Sequence, residues 1–462
     1  MRYKIIISAT FWCLILSHDA HAQKKIYSLA EIWQKTAEQY PSLSSKKYQL
    51  DRQQLTKQLI NKERLPDLNI QSQQSYGSYE GVSGAFFPLS GIYNVSGNNK
   101  LQNTQANSVS NFYTSAVLQW NFLQFGKTKA KLKVADAAIA VSSASLSQEE
   151  LQLKLTASQQ YFTVLKSAAL LAVNKADVQR LKDLFELSKA QADAGLKPGA
   201  DSLLVKSNYY QLKGRVNEQE AILETAMLQL AALINEDVNS FTIDTSLYRI
   251  NVPEKVLVPD DSLSNHPYLK YLKANTNYSK ASLEAVKRLP YPSAGLLAGT
   301  GIRGSGIDNN GIANNGFSAP WKNNTTGYLI GVGITWNLSS LYQNRLKQKI
   351  AEKEIATANA NYDEANLQIK TSYTAAVRRW QQQKEKVSDS RIALDASQQA
   401  YELYVTRYES GLINLIELLQ LQKTLQEAEN IYIKAKADYW DELINQSASI
   451  GNLSFLLTQL KP

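Results

Sequence analysis

Four short segments of the chain alternate apolar residues with polar or small ones, which is the pattern of a β-strand with one apolar face. The strands are predicted at residues 67–78, 111–122, 292–303 and 328–338. The second places Leu118 and Trp120 on one face, and the fourth does the same with Ile334 and Trp336. Each strand has about the length that crosses an outer membrane at a tilt, but a soluble sheet with one buried face alternates in the same way.

Two much longer segments contain neither proline nor glycine and are rich in Ala, Leu, Gln, Lys and Glu, so they are predicted to be helices. They span residues 127–194 and 342–410, and each helix is on the order of 100 Å long. No single core needs such a helix, so the helices are expected to lie side by side as coiled coils. Return helices are predicted at residues 199–235 and 414–450, and shorter helices from about Leu29 to Lys62 and from Pro267 to Arg288.

The order of these elements occurs twice along the chain. A shift of 216 residues aligns Trp120 with Trp336 and Gly195-Leu196 with Gly411-Leu412. A shift of 226 residues aligns Tyr40-Pro41 with His266-Pro267, and the change in shift falls in Gly-, Asn- and Ser-rich stretches that are typical of loops. The duplication predicts a first repeat at residues 23–235, an irregular connector at 236–262 and a second repeat at 263–462.

The amino-terminal residues are typical of a secretory signal. A basic start with Arg2 and Lys4 is followed by an apolar run from Ile5 to Leu16 and by Ala20-His21-Ala22, which fits a cleavage site. The apolar run is too short to span a bilayer as a helix. We therefore expect a cleavable signal peptide at residues 1–22 and export from the cytoplasm.

The few reactive side chains exclude most enzyme classes. Cys13, His18 and His21 lie within the signal, so His266 is the one histidine that remains and no cysteine does. A zinc cluster or a Ser/His pair cannot be assembled from this set. His266 is interpreted as part of a helix cap before Pro267. We expect no catalytic residues, no metal and no cofactor.

The formal net charge of +9 does not change the predicted fold. The lysines are scattered among glutamates along the long helices, which indicates a solvated helix face more than a nucleic-acid footprint. We therefore expect no nucleic-acid partner.

If the four strands enter lipid, their number decides how the sheet closes. No backbone donor can stay unpaired in the hydrocarbon, so the sheet has to close on itself. Four strands cannot enclose a usable lumen. Copies of the chain must then share one barrel, and three copies supply twelve strands. Trp120 and Trp336, near the ends of their strands, suit an aromatic girdle at the membrane interface.

The most specific motif is the turn that joins each long helix to its return helix. The two turns read Gly195-Leu196-Lys197-Pro198-Gly199-Ala200-Asp201 and Gly411-Leu412-Ile413-Asn414-Leu415-Ile416-Glu417. With the duplication, they make the chain resemble the outer membrane efflux proteins typified by TolC, over essentially all of its length after the signal. This resemblance implies a membrane α+β fold, with a trimeric twelve-stranded outer-membrane β-barrel continued by a periplasmic α-helical coiled-coil barrel. It also implies that residues 236–262 and the chain termini form a girdle around the helices.

The resemblance assigns a periplasmic gate to the two turns. Glu417 matches a position that supplies an acidic ring at the constriction, while Asp201 and Tyr408 match the partners of an interhelical hydrogen bond that holds it shut. Ile413 replaces an arginine of the TolC-like gate, so that salt link is missing, and Gln420 replaces the acid of a second ring.

The residues also allow a purely structural interpretation of the carboxylates. Gly195 and Gly411 can adopt the left-handed conformation that ends a helix. Asp201 and Glu417 then fall in the first turn of the next helix, where the helix dipole favours negative charge, and Asn414 with Glu417 resembles a capping box. The capping role and the gate role are compatible.

Six turn residues resemble the sites where the helical hairpin of a periplasmic adaptor docks: Gly195, Leu196, Lys197, Gly411, Leu412 and Ile413. An apolar contact within the helix cap is the alternative explanation for these leucines. The resemblance implies an outer-membrane export duct with a large periplasmic extension, in a tripartite efflux or type I secretion system. Its partners are two further copies, a periplasmic adaptor, an inner-membrane pump of the RND or ABC type, and outer-membrane lipid. The alternatives are a soluble or surface coiled-coil scaffold or adhesin without a pore, and an exported hydrolase built on carboxylates.

Overall fold

The computed structural model describes residues 24–77, 108–245, 262–308, 310 and 312–460. The expected signal at residues 1–22 and residues 246–261 of the expected connector lie outside the described residues. Contacts divide the chain into two units. The first comprises Met1–Leu50, Val141–Ala274 and Asn359–Pro462, and the second comprises Asp51–Ala140 and Asn275–Ala358.

Within the described residues the helices and strands follow the duplicated order. The helices are α1 (Leu29–Gln39), α2 (Pro41–Lys62), α3 (Lys127–Asp193), α4 (Gly199–Ile234), α5 (Pro267–Arg288), α6 (Ala319–Lys322), α7 (Ser340–Glu409), α8 (Leu415–Ile450) and α9 (Ser454–Gln459). The strands are β1 (Lys25–Tyr27), β2 (Asp67–Gly77), β3 (Val109–Leu123), β4 (Phe241–Ile243), β5 (Ser293–Ser305) and β6 (Asn324–Thr335). No helix in this part of the chain is both long enough and apolar enough to cross a membrane.

The prediction of one continuous helix from about Leu29 to Lys62 is wrong, because the helix is interrupted at Tyr40. Tyr40 is extended, with a ψ of 126°, and its N–H donates to the carbonyl of Thr36 at 3.0 Å to close α1. The cause is Pro41, whose ring disfavours the helical conformation of the residue before it. Proline suits the first position of the following helix, and α2 begins there.

Strands β2, β3, β5 and β6 form one antiparallel sheet in that order within the second unit. Residues paired across the strands share a face, as in the row formed by Leu68, Leu118, Ala298 and Ile330. We call this side of the sheet the apolar face. It carries Leu68, Ile70, Ala116, Leu118, Trp120, Leu296, Ala298, Tyr328, Ile330, Val332 and Ile334. The opposite, polar face carries Asn69, Gln71, Ser115, Gln119, Gly299, Gly301, Arg303 and Gly331.

The fourth strand lies closer to the amino terminus than the predicted range of 328–338. It begins at Asn324 and ends at Thr335, so Trp336 and Leu338 follow it. The chain turns toward α7 at this point, because the N–H of Ser340 donates to the carbonyl of Asn337 at 3.2 Å. Residues 336–338 continue the alternation of residues 328–335 although they follow the strand. The alternation alone therefore does not show where the strand ends.

Both tryptophans expected at a membrane interface are held in the same way. The indole Nε1 of Trp120 donates to the carbonyl of Arg64 at 2.8 Å, and that of Trp336 donates to the carbonyl of Pro290 at 2.9 Å. In each repeat the acceptor lies in the turn that precedes that repeat's first strand in the sheet, which is β2 in the first repeat and β5 in the second. The two repeats therefore place equivalent rings at the same end of the sheet.

The expectation that residues 236–262 form an irregular connector is corrected for the part that the structure describes. Phe241–Ile243 is strand β4 and pairs in parallel with β1. The hydroxyl of Tyr27 donates to Glu236 at 3.0 Å, and Lys35 forms an ion pair with the same carboxylate. A strand of three residues is too short to show a readable alternation, so the sequence does not reveal this pair.

The main core of the first unit packs α1, α3, α4, α7, α8 and α9 against the small β1–β4 sheet. Its largest buried side chains include Tyr161, Phe241, Tyr439 and Trp440, and Phe162 stacks on Trp440 with ring centroids 4.9 Å apart. Trp33 joins α1 to α3, because its Nε1 donates to Ser158 Oγ at 3.0 Å. This core holds the carboxyl-terminal parts of both return helices, α4 and α8.

The end of α8 packs against the start of α5. Gly451 has a φ of +77°, and its N–H donates to the carbonyl of Ala448 at 2.9 Å. The Nε2–H of His266 donates to the same carbonyl at 3.1 Å, while His266 Nδ1 accepts from the N–H of Tyr268 at 3.1 Å. The cap interpretation of His266 is thereby confirmed. Burial lowers the pKa of His266, which keeps the ring in this neutral form.

Replacing Gly451 by alanine is expected to destabilise the first unit. A Cβ there would lie 2.6 Å from Pro267 Cδ, in addition to the cost of about 1 kcal/mol of a left-handed residue other than glycine. Gly195→Ala is the matched control, because Gly195 has a φ of +76° and no atom within 4 Å of the added Cβ. Thermal melting followed by circular dichroism should show the larger loss for Gly451→Ala. Equal losses would show that Pro267 moves aside at no cost.

Candidate functional site at the two helix turns

The turns after α3 and α7 have the same backbone geometry. Gly195 has a φ of +76° and Gly411 a φ of +73°, so the predicted left-handed glycines are confirmed. The N–H of Leu196 reaches the carbonyl of Gln191 at 2.9 Å, and the N–H of Leu412 reaches that of Arg407 at 2.8 Å. Together with the bonds of the two glycine N–H groups, these complete a Schellman motif at each helix end.

The leucines of the two turns face solvent in the single chain. Leu196 is 74% exposed and Leu412 is 70% exposed. Contact within the helix cap therefore covers little of either side chain. Ile413 differs, because it packs against a buried cluster that we call the tip core. The tip core consists of Leu181, Leu184, Val205, Leu212, Tyr408, Leu415 and Leu418.

The two return helices begin with different caps. Asn414 is the N-cap of α8, and its side-chain oxygen accepts from the N–H of Glu417 at 2.9 Å. The Glu417 carboxylate in turn accepts from the Asn414 side-chain amide, so the predicted capping role of this pair is confirmed. At α4 the N-cap is Pro198, which has no side-chain acceptor, although Asp201 lies in the first turn as predicted.

The structure does not form the hydrogen bond expected between Asp201 and Tyr408. Tyr408 is fully buried, and its hydroxyl has no hydrogen-bond partner. Its ring packs within the tip core, and Lys197 Nζ lies 5.6 Å from the ring centroid. Burial raises the pKa of Tyr408, and the negative charge of Asp201 raises it further. The ring therefore packs in the tip core without the hydrogen bond to Asp201 that the resemblance implied.

A buried charged group, which sequence reasoning missed, links the two repeats beside the tip core. Arg180 on α3 donates to Asp177 Oδ1 at 2.6 Å and to Glu429 Oε2 on α8 at 2.5 Å. Gln422 on α8 donates to the same Asp177 oxygen at 3.3 Å. We call these four residues the Arg180 cluster. It is a polar connection between the long helix of the first repeat and the return helix of the second.

The Arg180 cluster holds two carboxylates against one cation. Asp177 is fully buried, and its Oδ2 has no hydrogen-bond partner. Burial raises the pKa of both Asp177 and Glu429, and Arg180 opposes the rise at both carboxyl groups. Removing Arg180 would leave the buried Asp177 and the half-buried Glu429 without their counter-charge, which is more costly than losing an exposed ion pair.

The sequence contains only a weak signal for this cluster. Asp177 and Arg180 are three residues apart, and Gln422 and Glu429 are seven apart, so each pair lies on one face of its helix. The long helices hold many other charged pairs that share a helix face, including pairs four residues apart. The salt bridges of Lys182 with Glu186 and of Arg391 with Asp395 are examples, and both are exposed.

Comparisons with known proteins agree on the fold. Residues 258–452 match the family model described as "Outer membrane efflux protein". No sequence among the curated proteins matches the chain.

Solved structures extend this likeness to almost the whole chain. VceC, an outer membrane protein of Vibrio cholerae, is 16% identical with a TM-score of 0.69, over 92% of this chain and 96% of that one. The CmeC outer membrane channel of Campylobacter jejuni is 13% identical with a TM-score of 0.70, over 96% and 93%. The open state of the MtrE outer membrane channel of Neisseria gonorrhoeae is 16% identical with a TM-score of 0.70, over 94% and 91%. The chain therefore has the fold of these outer-membrane channels.

The substitution Arg180→Met is expected to destabilise the paired helices by about 3 kcal/mol, because it strands the buried carboxylates. Arg391→Met removes an exposed ion pair on α7 and serves as the control, with an expected change below about 0.5 kcal/mol. Thermal melting of the purified chain in detergent measures both. Adding Asp177→Asn and Glu429→Gln should recover most of the loss.

The Arg180→Met defect should also depend on pH. A carboxyl group whose pKa is raised by folding contributes most to stability below its unfolded pKa, and this contribution is lost as pH rises through the folded value. The defect should therefore shrink as the pH is lowered from neutral toward the carboxyl range. A defect that is constant with pH would assign the loss to packing of the arginine stem.

Proposed function

We propose that this chain, whose residues 258–452 match the outer membrane efflux protein family model, is the outer-membrane export duct of a tripartite efflux or type I secretion system. It conducts substrates passively, and an inner-membrane pump supplies the motive force. A cleavable signal at residues 1–22 directs the chain to export, and the repeats at 23–235 and 263–462 build the duct. The observation that carries the proposal is the sheet β2-β3-β5-β6, whose apolar face, and whose two edges without a partner strand among the described residues, suit a barrel shared between copies.

The strand directions allow the barrel to close. Neighbouring strands in the sheet are antiparallel, so β2 and β6 at the two edges run in opposite directions. Strand β6 of one copy can therefore pair with β2 of the next in an antiparallel ladder. Three copies, the number implied by the family resemblance, close twelve strands and leave no edge in the lipid.

The apolar face carries the side chains that such a barrel turns toward lipid. Tyr328, Ile330, Val332 and Ile334 on β6 are all exposed in the single chain. A contiguous exposed patch that includes four large apolar side chains is rare on soluble monomers. The family match and this patch both favour the duct over a soluble scaffold or adhesin.

Adjacent residues of β6 provide a direct test of the barrel. Ile330 lies on the apolar face and Leu329 on the polar face, and both are exposed. An arginine at Ile330 should destabilise the membrane-inserted trimer by about 2–4 kcal/mol, because its charge would lie in the hydrocarbon. An arginine at Leu329 would face the lumen and should be tolerated. The measurement is the amount of heat-sensitive trimer extracted from outer membranes with detergent.

The contrast between the two variants decides the proposal, and loss of trimer with both would contradict the assignment of Leu329 to the lumen. Loss of trimer with Ile330→Arg but not with Leu329→Arg supports it. Equal tolerance of both variants, or recovery of the mature chain in the soluble fraction without detergent, would overturn it.

The exposed turns support a docking role in the same system. Leu196 and Leu412 are the apolar residues of otherwise open turns, and their Schellman geometry presents them alike. We propose that the two turns, with Gly195, Lys197, Gly411 and the partly buried Ile413, bind a periplasmic adaptor. The adaptor connects the trimer to a pump of the RND or ABC type.

The gate proposal involves Asp201, Tyr408 and Glu417. The hydroxyl of Tyr408 is a buried donor without a partner in one chain, and the charge of Asp201 acts on it. We propose that closure of the assembled duct brings these two groups into a hydrogen bond, and that Glu417 adds negative charge at the constriction. A buried polar group without a partner is costly, so the bond would be favoured once geometry allows it.

Removing the proposed latch should raise the conductance of the isolated channel. Tyr408→Phe keeps the ring in the tip core and removes only the hydroxyl, and Asp201→Ala removes the acceptor. Tyr404→Phe is the matched control, because Tyr404 packs against the same core. Single-channel recording in a planar bilayer measures the effect. Unchanged conductance in both latch variants would overturn the latch and leave Asp201 only its charge in the first turn of α4.

A further inference from the structure

The connection between β5 and β6 folds back over the apolar face of the sheet. Residues 317–322, which we call the crossing segment, lie over three strands in one cross-strand row. That row consists of Gln74 on β2, Phe112 on β3 and Gly304 on β5. Gln74 Nε2 donates to the carbonyl of Phe317 at 3.2 Å, and the ring of Trp321 stacks on Phe112 with centroids 4.0 Å apart.

The sheet is adapted to hold the crossing segment. A Cβ at Gly304 would lie 1.9 Å from the carbonyl oxygen of Pro320, so no side chain fits at this position. The N–H of Ser305 donates to the carbonyl of Asn323 at 3.0 Å, and the Asn323 side-chain amide donates to the carbonyls of Ser305 and Ile307, each at 2.8 Å. The segment is therefore fixed to the sheet at both sides of Pro320.

The crossing segment has a buried side and an exposed side. Ala319 and Pro320 are buried against the sheet. Phe317 is 69% exposed, Trp321 is 54% exposed, and Lys322 is exposed beside them. Two large aromatic rings and a cation thus face outward from the apolar face.

The crossing segment lies at a definite distance from the ring of Trp120. Phe112, which Trp321 covers, and Trp120 share the apolar face of β3, and the stretch of strand from one to the other, residues 112–120, has about the length that crosses the hydrocarbon core at a tilt. Outer-membrane barrels have an aromatic girdle at each interface. Trp120 and Trp336 occupy one end of the apolar face, and Trp321 with Phe317 occupies the other.

We propose that the crossing segment is a membrane-interface anchor that fixes the depth of the barrel. Phe317 and Trp321 lie at the boundary between acyl chains and headgroups, on the side of the membrane opposite Trp120 and Trp336. Lys322 lies at the level of the lipid phosphates. The occupant is lipid because the segment continues an apolar face that the proposed barrel turns toward the bilayer, and because aromatic rings and lysine stems favour this boundary. The inference rests on the proposed function.

Spin labels on single cysteines test the depth. The one cysteine of the sequence, Cys13, lies in the signal proposed to be cleaved, so each introduced thiol is the one labelling site of the mature trimer. Labels are placed by Lys322→Cys, by Ile330→Cys at the middle of the apolar face, and by Asn315→Cys in the exposed loop. The trimer is reconstituted in vesicles of phosphatidylethanolamine and phosphatidylglycerol. Collisions with oxygen report hydrocarbon, and collisions with a soluble nickel chelate report water.

The inference and the proposed function fail in different ways. We expect the Ile330 label to favour oxygen, the Asn315 label to favour nickel, and the Lys322 label to show nickel collisions severalfold below those at Asn315. A Lys322 label as accessible to nickel as the Asn315 label, with Ile330 still deep, overturns the anchor and leaves the duct intact. A water-accessible Ile330 label overturns the duct itself.

Two further outcomes complete the test. A Lys322 label that neither reagent reaches would assign the segment to a contact between copies and overturn the lipid anchor. Adding Trp321→Ala should raise nickel access at Lys322, whereas Trp321→Phe should preserve the protection. If neither substitution changes access, Trp321 does not act as the anchor.

Discussion

The outward N–H and C=O groups of β2 and β6 have no partner strand within the four-stranded sheet, and in hydrocarbon each unpaired group costs several kilocalories per mole. A sheet with these edges cannot enter lipid alone, so in the proposed barrel the association of copies and membrane insertion have to be coupled. The duplication supports this arrangement. Each repeat supplies one hairpin, the hairpins join at β3 and β5, and the two edges left over are complementary in direction.

The elements with a long or regular pattern could be predicted from the sequence. The alternation of Leu68, Ile70, Leu118 and Ile330 revealed the faces of the sheet, and the absence of proline and glycine revealed the long helices. Features that depend on a single residue or on contacts between distant parts of the chain could not be predicted from the sequence. Pro41 interrupts a helical pattern, and the three-residue strands β1 and β4 are too short to read. Nothing in the sequence distinguishes Trp321 from other loop residues. Its position over the sheet arises only because the folded chain returns over Gly304.

The site shows the same division. The glycine turns and the Asn414–Glu417 cap follow local rules, so the sequence revealed them. The bond expected between Asp201 and Tyr408 rested on resemblance, and one chain packs the Tyr408 ring without it. The Arg180 cluster requires α3 and α8 to be adjacent, and a chain with 50 basic and 41 acidic residues offers too many candidate pairs. We infer that the cluster favours the register of α3 and α8 in which its charges meet.

The unequal caps of the return helices make the two halves of the tip mechanically different. Asn414 holds the first turn of α8, whereas α4 begins after Pro198 with no side-chain bond to its free amides. Amide hydrogen exchange should therefore begin earlier at residues 199–201 than at residues 415–417. Under equal force the turn of the first repeat should therefore open before the turn of the second in every copy, so the proposed assembly of three copies would pass through an intermediate that keeps its threefold symmetry while the two repeats of each copy differ.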